Sequence, residues 1–440
     1  MAKKLIALCL GFALAFTLCG CSIFTSDTAE LLSPPGLSGD LYPISQAIKA
    51  DAGSNYTLQY PTRGDYRSAV ILKDVNGDGT TEAFAFYSTT DGETITMNMN
   101  VVRYVDEEWK SISVQKIVAG GVDKIDFCDL NNDGIEEIIV GWAVYGSSET
   151  QLGVYSIGLN SSTQRMLQKY THYMVCDLDA NAQNEILLIK AFASEQSNSA
   201  SLVALSDEGI TEVSTCQLDS TVTSISEPVL STLSNGKQAV YLDEIKGVGA
   251  ITEVLMVEKG ELVNPLYDPV TKETNATLRS INFLTTDINS DGVLEIPVQQ
   301  NVPSVTISQV TEKLYLTNWA SFNGEKLVTQ MTAMINTADG YYYVVPTKWV
   351  GKIAILKDTE NGIREIYTYD EESMTVGENL IIFRTVKTEE WQRGDYDTAY
   401  FAEIGSWNGK TVICHLYDGA VLQSMTYEDV IENFNVWEGV

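Results

Sequence analysis

Histidine is almost absent from this chain, which has 2 histidines among its 440 residues. Because histidine is the most frequent general base and a common metal ligand, its scarcity argues against histidine-dependent catalysis and against a zinc site. Neither His172 nor His415 lies in an H-E-x-x-H motif, and the sequence has no Gly-x-Ser-x-Gly elbow and no phosphate-binding glycine-rich loop. Cys414 precedes His415, but adjacent residues of a strand face opposite sides of a sheet, so we expect no nucleophile pair.

Basic residues are also few. The chain has 28 lysines and arginines against 59 aspartates and glutamates, which gives a formal net charge of −31. A field of this sign disfavours nucleic acid and anionic membrane surfaces, and it favours divalent cations. For most of the acidic residues, solubility is a sufficient explanation. We therefore expect no nucleic-acid partner, and the sequence sets no oligomeric state.

Cysteine use is sparse and excludes a disulfide scaffold. Beyond the N-terminal segment the sequence has no short paired spacing of its cysteines, which are Cys128, Cys176, Cys216 and Cys414. The first two each precede an aspartate of a repeated loop, so we expect small buried side chains on equivalent strands. A bridge between these two stays open, because the sequence does not fix the distance between their Cα atoms.

Long apolar runs are missing too. The run from Leu5 to Leu18 follows Lys3 and Lys4 and is too short to cross a bilayer comfortably, so it predicts a secretory signal. Its ending, Leu-Cys-Gly-Cys, resembles a bacterial lipobox, and this resemblance implies cleavage before Cys21 and acylation of its sulfur. An ordinary signal peptide with an incidental cysteine is the alternative.

The N-terminal organisation follows from this interpretation. We expect residues 1–20 to be a lipoprotein signal peptide and residues 21–40, which are rich in Ser, Thr, Pro and Gly, to be a flexible tether. The lipid would hold the folded part at the extracellular face of the cell membrane. After the tether, LYPISQAIKADAG predicts a short helix and TLQYP a strand.

Against these absences, four acidic loops stand out. They read DVNGDGTTEAFAFY from Asp74, DLNNDGIEEIIVGW from Asp129, DLDANAQNEILLIK from Asp177 and DINSDGVLEIPVQQ from Asp287. Oxygen-bearing side chains fall at positions one, three, five and nine, with Gly at position six in three copies. Such a turn wraps a hard cation, and oxygen ligands without His or Cys favour Ca²⁺ over transition metals.

The predicted ligands form four sets. The side chains are Asp74, Asn76, Asp78 and Glu82; Asp129, Asn131, Asp133 and Glu137; Asp177, Asp179, Asn181 and Glu185; and Asp287, Asn289, Asp291 and Glu295. At position seven the backbone carbonyls of Thr80, Ile135 and Val293 complete three of the sets. The third loop has Asn181-Ala182 where the others have Asp-Gly, so its occupancy stays open.

An EF-hand begins with the same residues, but it needs a bidentate Glu at position twelve and flanking helices. Position twelve is Ala85, Val140, Leu188 or Val298, and none of these side chains can bind calcium. The segments that follow the loops are short, apolar and β-compatible. The pattern therefore predicts a loop that leads into a strand.

The loops recur at a regular spacing. Successive first aspartates are 55, 48 and 110 residues apart, so a further copy is expected near residue 231. Ser231–Ala239 retains the Asn235-Gly236 turn and is followed by an apolar run, but it lacks the acids of positions one, three and nine. Five repeats of this length, each with a turn and a short strand, predict stacked units such as β-propeller blades.

At this point the residues resemble a known family. The D-x-[DN]-x-[DN]-G-x-x-E loop leading into a strand is similar to the FG-GAP or VCBS-type repeat of integrin-α-like β-propellers, over roughly residues 30–335. The chain resembles the propeller lipoproteins of Gram-positive bacteria. The expected fold is mainly β, with a β-propeller of about five visible repeats over residues 41–336.

From Thr337 the pattern changes to further short strands and a helix in TYEDVIENF, where Thr426 is placed as an N-cap. We expect residues 337–440 to form a small C-terminal α+β domain. This segment concentrates aromatic rings, including Tyr341, Tyr342 and Tyr343. Alternation along a strand favours a core role for these rings over sugar stacking.

Two hypotheses of function follow. The first is a surface-anchored, non-catalytic binding lipoprotein whose calcium-stabilised scaffold recognises a glycan, a cell-wall component or an exported protein. The second is an exported hydrolase without a recognisable motif, because a pair of catalytic carboxylates is defined by its separation in the fold. The missing catalytic signature and the degenerate repeat favour the first.

Overall fold

The computed structural model describes residues 39–53, 55–92, 94–144, 149–192, 197–206, 209–305, 314–421 and 423–436. The predicted signal peptide, Cys21 and all but the end of the predicted tether lie outside these ranges. Within them, no helix combines the length and the apolarity that are needed to span a bilayer.

The chain divides into two compact units. The first comprises the described parts of Met1–Phe127 and Gly134–Gln168, and the second those of Cys128–Asp133 and Lys169–Val440. In the described residues the strands form six sheets, which are antiparallel except for one short parallel pair. The prediction of a mainly β protein is confirmed.

Sheets 1 and 2 lie almost entirely in the first unit. Sheet 1 consists of β1 (Tyr56–Leu58), β2 (Val70–Lys73), β3 (Glu82–Asp91), β4 (Thr94–Val105) and β5 (Glu108–Ile117). Sheet 2 consists of β6 (Gly121–Cys128), β7 (Glu137–Ala143), β8 (Thr150–Ile157) and β9 (Ser162–Tyr170). In both sheets the strands that follow the acidic loop pair in chain order.

Sheets 3 and 4 repeat this arrangement in the second unit. Sheet 3 consists of β10 (His172–Cys176), β11 (Glu185–Lys190), β12 (Ser199–Ser206) and β13 (Gly209–Gln217). Sheet 4 consists of β14 (Ser224–Ile225), β15 (Val229–Thr232), β16 (Gln238–Lys246), β17 (Gly249–Glu258) and β18 (Glu261–Val263).

Sheets 5 and 6 hold the remaining strands. In chain order these are β19 (Glu295–Val302), β20 (Ser304–Val305), β21 (Leu314–Phe322), β22 (Leu327–Asn336), β23 (Tyr341–Val344), β24 (Ile353–Asp358), β25 (Ile363–Asp370), β26 (Thr375–Lys387), β27 (Ala402–Trp407), β28 (Lys410–Leu416) and β29 (Phe434–Val436). Sheet 5 has the order β19-β21-β22-β23-β29, and sheet 6 has the order β20-β24-β25-β26-β28-β27.

The described helices are short: α1 (Tyr42–Ala52), α2 (Thr388–Arg393), α3 (Asp418–Val421) and α4 (Tyr427–Glu432). In α1, Ile44, Ala47 and Ile48 recur at helical spacing and pack on the face of sheet 1 that carries Ala83, Ala85 and Tyr87. Both α1 and β1 confirm the elements predicted after the tether.

The N-terminus of α4 has the predicted cap. The hydroxyl of Thr426 accepts a hydrogen bond from the backbone N–H of Asp429, and the Asp429 carboxylate accepts one from the backbone N–H of Thr426. This reciprocal pair is a capping box, which satisfies two backbone donors that the helix leaves open. The helix predicted in TYEDVIENF is therefore confirmed.

Each strand that follows an acidic loop begins with a run of buried residues, so side chains on both faces of that part of the strand are covered. In β16, Val240 and Leu242 enter a core shared with sheet 3, whereas Ala239 and Tyr241 enter a core shared with sheet 5. Sheets 1 and 2 share a core, as do sheets 5 and 6. Within each unit, successive sheets therefore pack face to face.

The predicted division at residues 336 and 337 falls between two strands that pair. Asn336, the last residue of β22, lies opposite Tyr341 in β23, and β23 pairs in turn with β29 near the end of the chain. Tyr341 and Tyr343 are buried in the core between sheets 5 and 6, which confirms the core role predicted for these rings.

Candidate metal centres in the acidic loops

Each acidic loop ends at the first residue of a strand. The position-nine glutamates open β3, β7, β11 and β19; they are Glu82, Glu137, Glu185 and Glu295. No loop is followed by a helix in the described residues, so the prediction of loop-to-strand repeats is confirmed against the EF-hand. The four glutamates are at most 4% exposed.

The position-nine carboxylate fastens the start of the loop. Oε2 of Glu82 accepts a hydrogen bond from the backbone N–H of Val75 at 3.2 Å. The same bond runs from Leu178 to Glu185 at 3.3 Å and from Ile288 to Glu295 at 3.1 Å. A buried glutamate thus closes the base of the loop and leaves its second oxygen, Oε1, for another partner.

The position-one aspartate closes the turn from the other side. Its Oδ2 accepts a hydrogen bond from the backbone N–H of position six. The donor–acceptor distances are 2.8 Å for Gly79 and Asp74, 2.9 Å for Ala182 and Asp177, and 2.8 Å for Gly292 and Asp287. Position six has a left-handed backbone in all four loops, which is why Gly is favoured there.

Positions three and five form nested Asx turns. The position-three oxygen accepts the backbone N–H of position five, from Asp78 to Asn76 at 3.0 Å and from Asp291 to Asn289 at 3.0 Å. The position-five carboxylate then accepts the N–H of position seven, as from Thr80 to Asp78 at 2.7 Å. These bonds hold the oxygen-bearing side chains around one turn.

The third loop keeps this geometry despite Ala182. Carboxylate oxygens of Asp177, Asp179 and Glu185 all lie within 4.8 Å of one another. The N–H of Asn181 donates to Asp177 at 2.9 Å and to Asp179 at 3.1 Å. The departure from Asp-Gly has therefore not opened the loop, and three carboxylates converge there.

The second loop is divided between the two units, with Asp129–Asp133 in the second and the residues from Gly134 in the first. In the second unit, the N–H of Asp133 donates to Asp129 Oδ1 at 3.2 Å, and the Asn131 amide donates to Asp133 Oδ2 at 3.0 Å. In the first unit, Glu137 Oε1 accepts the hydroxyl of Ser156 at 3.0 Å. Ile135 precedes β7 in that unit.

Among the predicted ligand carboxylates of the loops, two buried oxygens lack a hydrogen-bond partner in the described residues. They are Oδ1 of Asp74 in the first loop and Oε1 of Glu295 in the fifth repeat. An unpaired buried charge is costly, and a cation is the partner that such oxygens accept. The donor set, which has hard oxygens without nitrogen or sulfur, fits Ca²⁺.

The loops differ in whether a basic side chain pairs with the position-nine glutamate. Arg103 Nε lies 3.0 Å from Glu82 Oε1, so a strand-borne guanidinium already neutralises one carboxylate of the first loop. In the third loop, burial and then the charge of Asp179 raise the pKa of Glu185 to about 7. Burial and the charges of Asp291 and Asp287 do the same to Glu295, whose pKa rises to about 7.

No family model matches this chain. A comparison with curated proteins finds no match either. Similar solved structures include a protein from Lactobacillus plantarum, at 10% sequence identity over 70% of this chain and 82% of that chain, with a TM-score of 0.28. An exotype rhamnogalacturonan lyase is 10% identical over 82% of this chain and 90% of that chain, with a TM-score of 0.30.

A third similar structure is an exo-β-1,3-galactanase from Phanerochaete chrysosporium with galactose. It is 11% identical over 75% of this chain and 79% of that chain, with a TM-score of 0.26. At these TM-scores the similarities support no inference about activity. The resemblance to FG-GAP or VCBS-type repeats therefore stays a prediction that rests on the loops themselves.

The fourth repeat keeps the turn but not the ligands. Ser231–Ala239 lies in the β15–β16 hairpin, where Asn235 Oδ1 accepts the backbone N–H of Lys237 at 3.0 Å. Position nine is Ala239, which is fully buried. The copy predicted near residue 231 is confirmed as a hairpin, and it offers a cation no carboxylate from positions one to nine.

Buried cations from the chain itself stabilise this sheet instead. Lys246 Nζ donates to Asp219 at 2.8 Å and to Glu273 at 2.9 Å. Arg279, which is 3% exposed, donates to Asp243 at 3.0 Å. No sequence motif indicates these pairs, because the partners are 27 or more residues apart and Asp219, Glu273 and Arg279 lie outside the strands.

Glu244 is a further buried acid of β16. It is 1% exposed, and neither carboxylate oxygen has a hydrogen-bond partner in the described part of the chain. Burial, and then the nearby Glu253 and Asp219 carboxylates, raise the pKa of Glu244 well above its usual range.

The residues considered for catalysis are placed as expected. Cys414 is fully buried, whereas His415 lies on the other face of the sheet and stacks on Tyr400 with ring centroids 3.8 Å apart. The ring of His172 bonds the carbonyl of Ile225 at 3.0 Å. Cys176, Cys216 and Cys414 are free thiols, so Cys176 forms no bridge to Cys128.

Calcium affinity is expected to depend on pH at the third and fifth repeats. Because Glu185 and Glu295 have pKa values near 7, protons compete with the metal below that pH. Between pH 8 and pH 6 the ionised fraction falls about tenfold, so the affinity of each of these sites should fall by a similar factor. Titration calorimetry at the two pH values measures this. Equal affinities would contradict the expectation, and Glu185→Gln should remove one pH-dependent site.

Proposed function

We propose that the protein is a surface-anchored, non-catalytic binding lipoprotein with a calcium-stabilised scaffold, and that it recognises a glycan, a cell-wall component or an exported protein. The observation that carries the proposal is the repeated loop. In the first, third and fifth repeats, acidic and amide oxygens surround one turn over a buried position-nine glutamate. A repeated cation site at strand starts serves a scaffold, because it fixes the turn that sets strand pairing.

We further propose that the sheets are blades of a β-propeller. Within each unit, successive sheets share a core, from sheet 1 to sheet 2 and from sheet 3 through to sheet 6. Sheets 2 and 3 are four-stranded meanders in chain order, as a blade requires. A low-resolution envelope of the full chain from solution scattering would test the propeller directly.

The calcium role has a specific test at Glu295. Glu295→Gln keeps the shape of the side chain but removes a buried carboxylate with an unpartnered oxygen. At ten times Kd, calcium bound at this site should add about 1.4 kcal/mol to the unfolding free energy of wild type, and the variant should lack this increment. Without calcium at pH 8 it should be equally or more stable, because an ionised buried carboxylate is unfavourable there.

Denaturant unfolding with and without calcium measures both effects. Glu325→Gln, at an exposed turn of the same sheet, is the matched control and should behave as wild type in both conditions. A loss of stability that is equal with and without calcium would assign Glu295 a purely structural role.

The anchor is tested at Cys21. Cys21→Ala should release the protein from the membrane fraction or block its processing, while the folded part keeps its melting temperature. Cys19→Ala is the control, since it changes a cysteine of the same segment without removing the proposed acylation site. Membrane retention unchanged by Cys21→Ala would refute lipid anchoring at this residue.

Binding and hydrolysis are best measured together. Purified protein would be screened in millimolar calcium against glycan arrays, cell-wall preparations and exported proteins, with product release followed in the same samples. Binding without turnover is the expected result. Turnover of any of these ligands would replace the scaffold proposal with the alternative, an exported hydrolase.

A further inference from the structure

A pocket of about 360 Å³ lies in the second unit, at one end of sheet 6. Its walls come from the turn before β24, from the β25–β26 hairpin and from Gln423. The backbone N–H of Tyr369 donates to the carbonyl of Lys352 at 2.8 Å, which ties the turn to β25. The volume is in the range of small-ligand sites.

The side chains at the base of the pocket are held by burial and by a hydrogen bond. Trp349 is 2% exposed, and its indole N–H donates to Gln423 Oε1 at 2.6 Å. Leu380, which is fully buried, adds a second apolar side chain to the lining. Both side chains belong to the core between sheets 5 and 6, so they fix the base of the pocket.

The rim carries positive charge, which is rare in this chain. Lys348 and Lys352 are both exposed and line the pocket. Lys348 Nζ donates to the Gln423 carbonyl, whereas the Lys352 ammonium has no hydrogen bond or ion pair with a described residue. With 28 basic against 59 acidic residues, two lysines at one cavity favour an anionic ligand.

One carboxylate also lines the pocket, and it is already engaged. Asp370 Oδ1 accepts the backbone N–H of Ser373 at 2.8 Å and its hydroxyl at 2.9 Å. Two ammonium groups therefore face one carboxylate, and that carboxylate is bonded into the hairpin turn.

Hydroxyl groups supply the rest of the lining. Thr368 and Thr375 come from the two strands of the hairpin, and Tyr369 adds a phenol. We propose that this pocket binds a sugar residue that bears a carboxylate, with the lysines on the carboxylate and the hydroxyl groups on the ring hydroxyls. The choice of a sugar rests on the proposed function as a glycan-binding protein.

Calorimetry of the full chain in calcium tests the proposal. The probes are oligogalacturonate and glucuronate oligosaccharides, with neutral galactose oligosaccharides and inorganic phosphate as comparisons. We expect the acidic oligosaccharides to bind, the neutral ones to bind at least tenfold more weakly, and the affinity to fall as salt is raised. The double variant Lys348→Gln/Lys352→Gln should lose at least tenfold in affinity.

Lys326→Gln is the matched control, because it removes an exposed lysine outside the pocket and should leave binding unchanged. Equal binding of neutral sugars, binding of phosphate as strong as that of the oligosaccharides, or full affinity in the double variant would each overturn the proposal. If acidic sugars fail to bind while a cell-wall preparation or protein does, the pocket proposal falls and the proposed function stands. If nothing binds, both fall.

Discussion

Arg279→Met is expected to lower the free energy of unfolding by about 3–5 kcal/mol, because it leaves a buried carboxylate without its charged partner. Arg279 donates to Asp243 at 3.0 Å, to the Thr252 hydroxyl at 3.0 Å and to the Phe283 carbonyl at 2.9 Å. The guanidinium also donates to the Thr277 carbonyl at 3.2 Å, so it joins sheet 4 to the long segment between β18 and β19, and its removal frees four acceptors at once.

Urea unfolding measures this loss. The double variant Arg279→Met/Asp243→Asn should recover part of it, since no unpaired charge is then buried. Arg279→Lys keeps the charge but not the fork of donors, and it provides a folded intermediate case if the methionine variant fails to fold. A loss below about 1 kcal/mol in Arg279→Met would place the pair among weak surface-type bridges.

Calcium is expected to have an effect of similar size on the chain as a whole. At ten times Kd, each filled loop adds about 1.4 kcal/mol, so three or four loops add roughly 4–6 kcal/mol. Calorimetric unfolding in calcium and in excess chelator measures the sum, and magnesium at the same concentration is the control for ionic strength. A melting temperature unmoved by the chelator would contradict calcium binding in these loops.

The loops could be predicted from sequence because their chemistry is local. Asp74 to Glu82 spans one turn, so the residue types alone indicate a ring of oxygens and the strand that follows. The eroded copy near residue 231 was found in the same way, through its Asn235-Gly236 turn. Alternation in Tyr341–Tyr343 likewise predicted which rings are buried.

Partners that are distant in sequence could not be predicted. The Arg103–Glu82 bridge depends on the register of β3 and β4, and the Arg279–Asp243 pair depends on the path of an irregular segment. The edge of sheet 5 is a similar case, because β29 follows β23 by about ninety residues and no local pattern links them. Such contacts arise from topology rather than from a motif.

The third repeat keeps the acidic ligands of the loop but lacks its glycine, whereas the fourth keeps the glycine but lacks the acidic ligands. Ala182 holds a φ of 68°, a left-handed conformation that costs an L-residue roughly 1–2 kcal/mol, yet three carboxylates still converge beside it. Gly236 has a φ of 83°, but the turn around it contains no acidic residue. Backbone shape and ligand set are therefore separable: the hairpin of the fourth repeat forms without acidic ligands, and Lys246 and Arg279 form ion pairs at its sheet, so the turn and the ligands of a repeat can be altered independently.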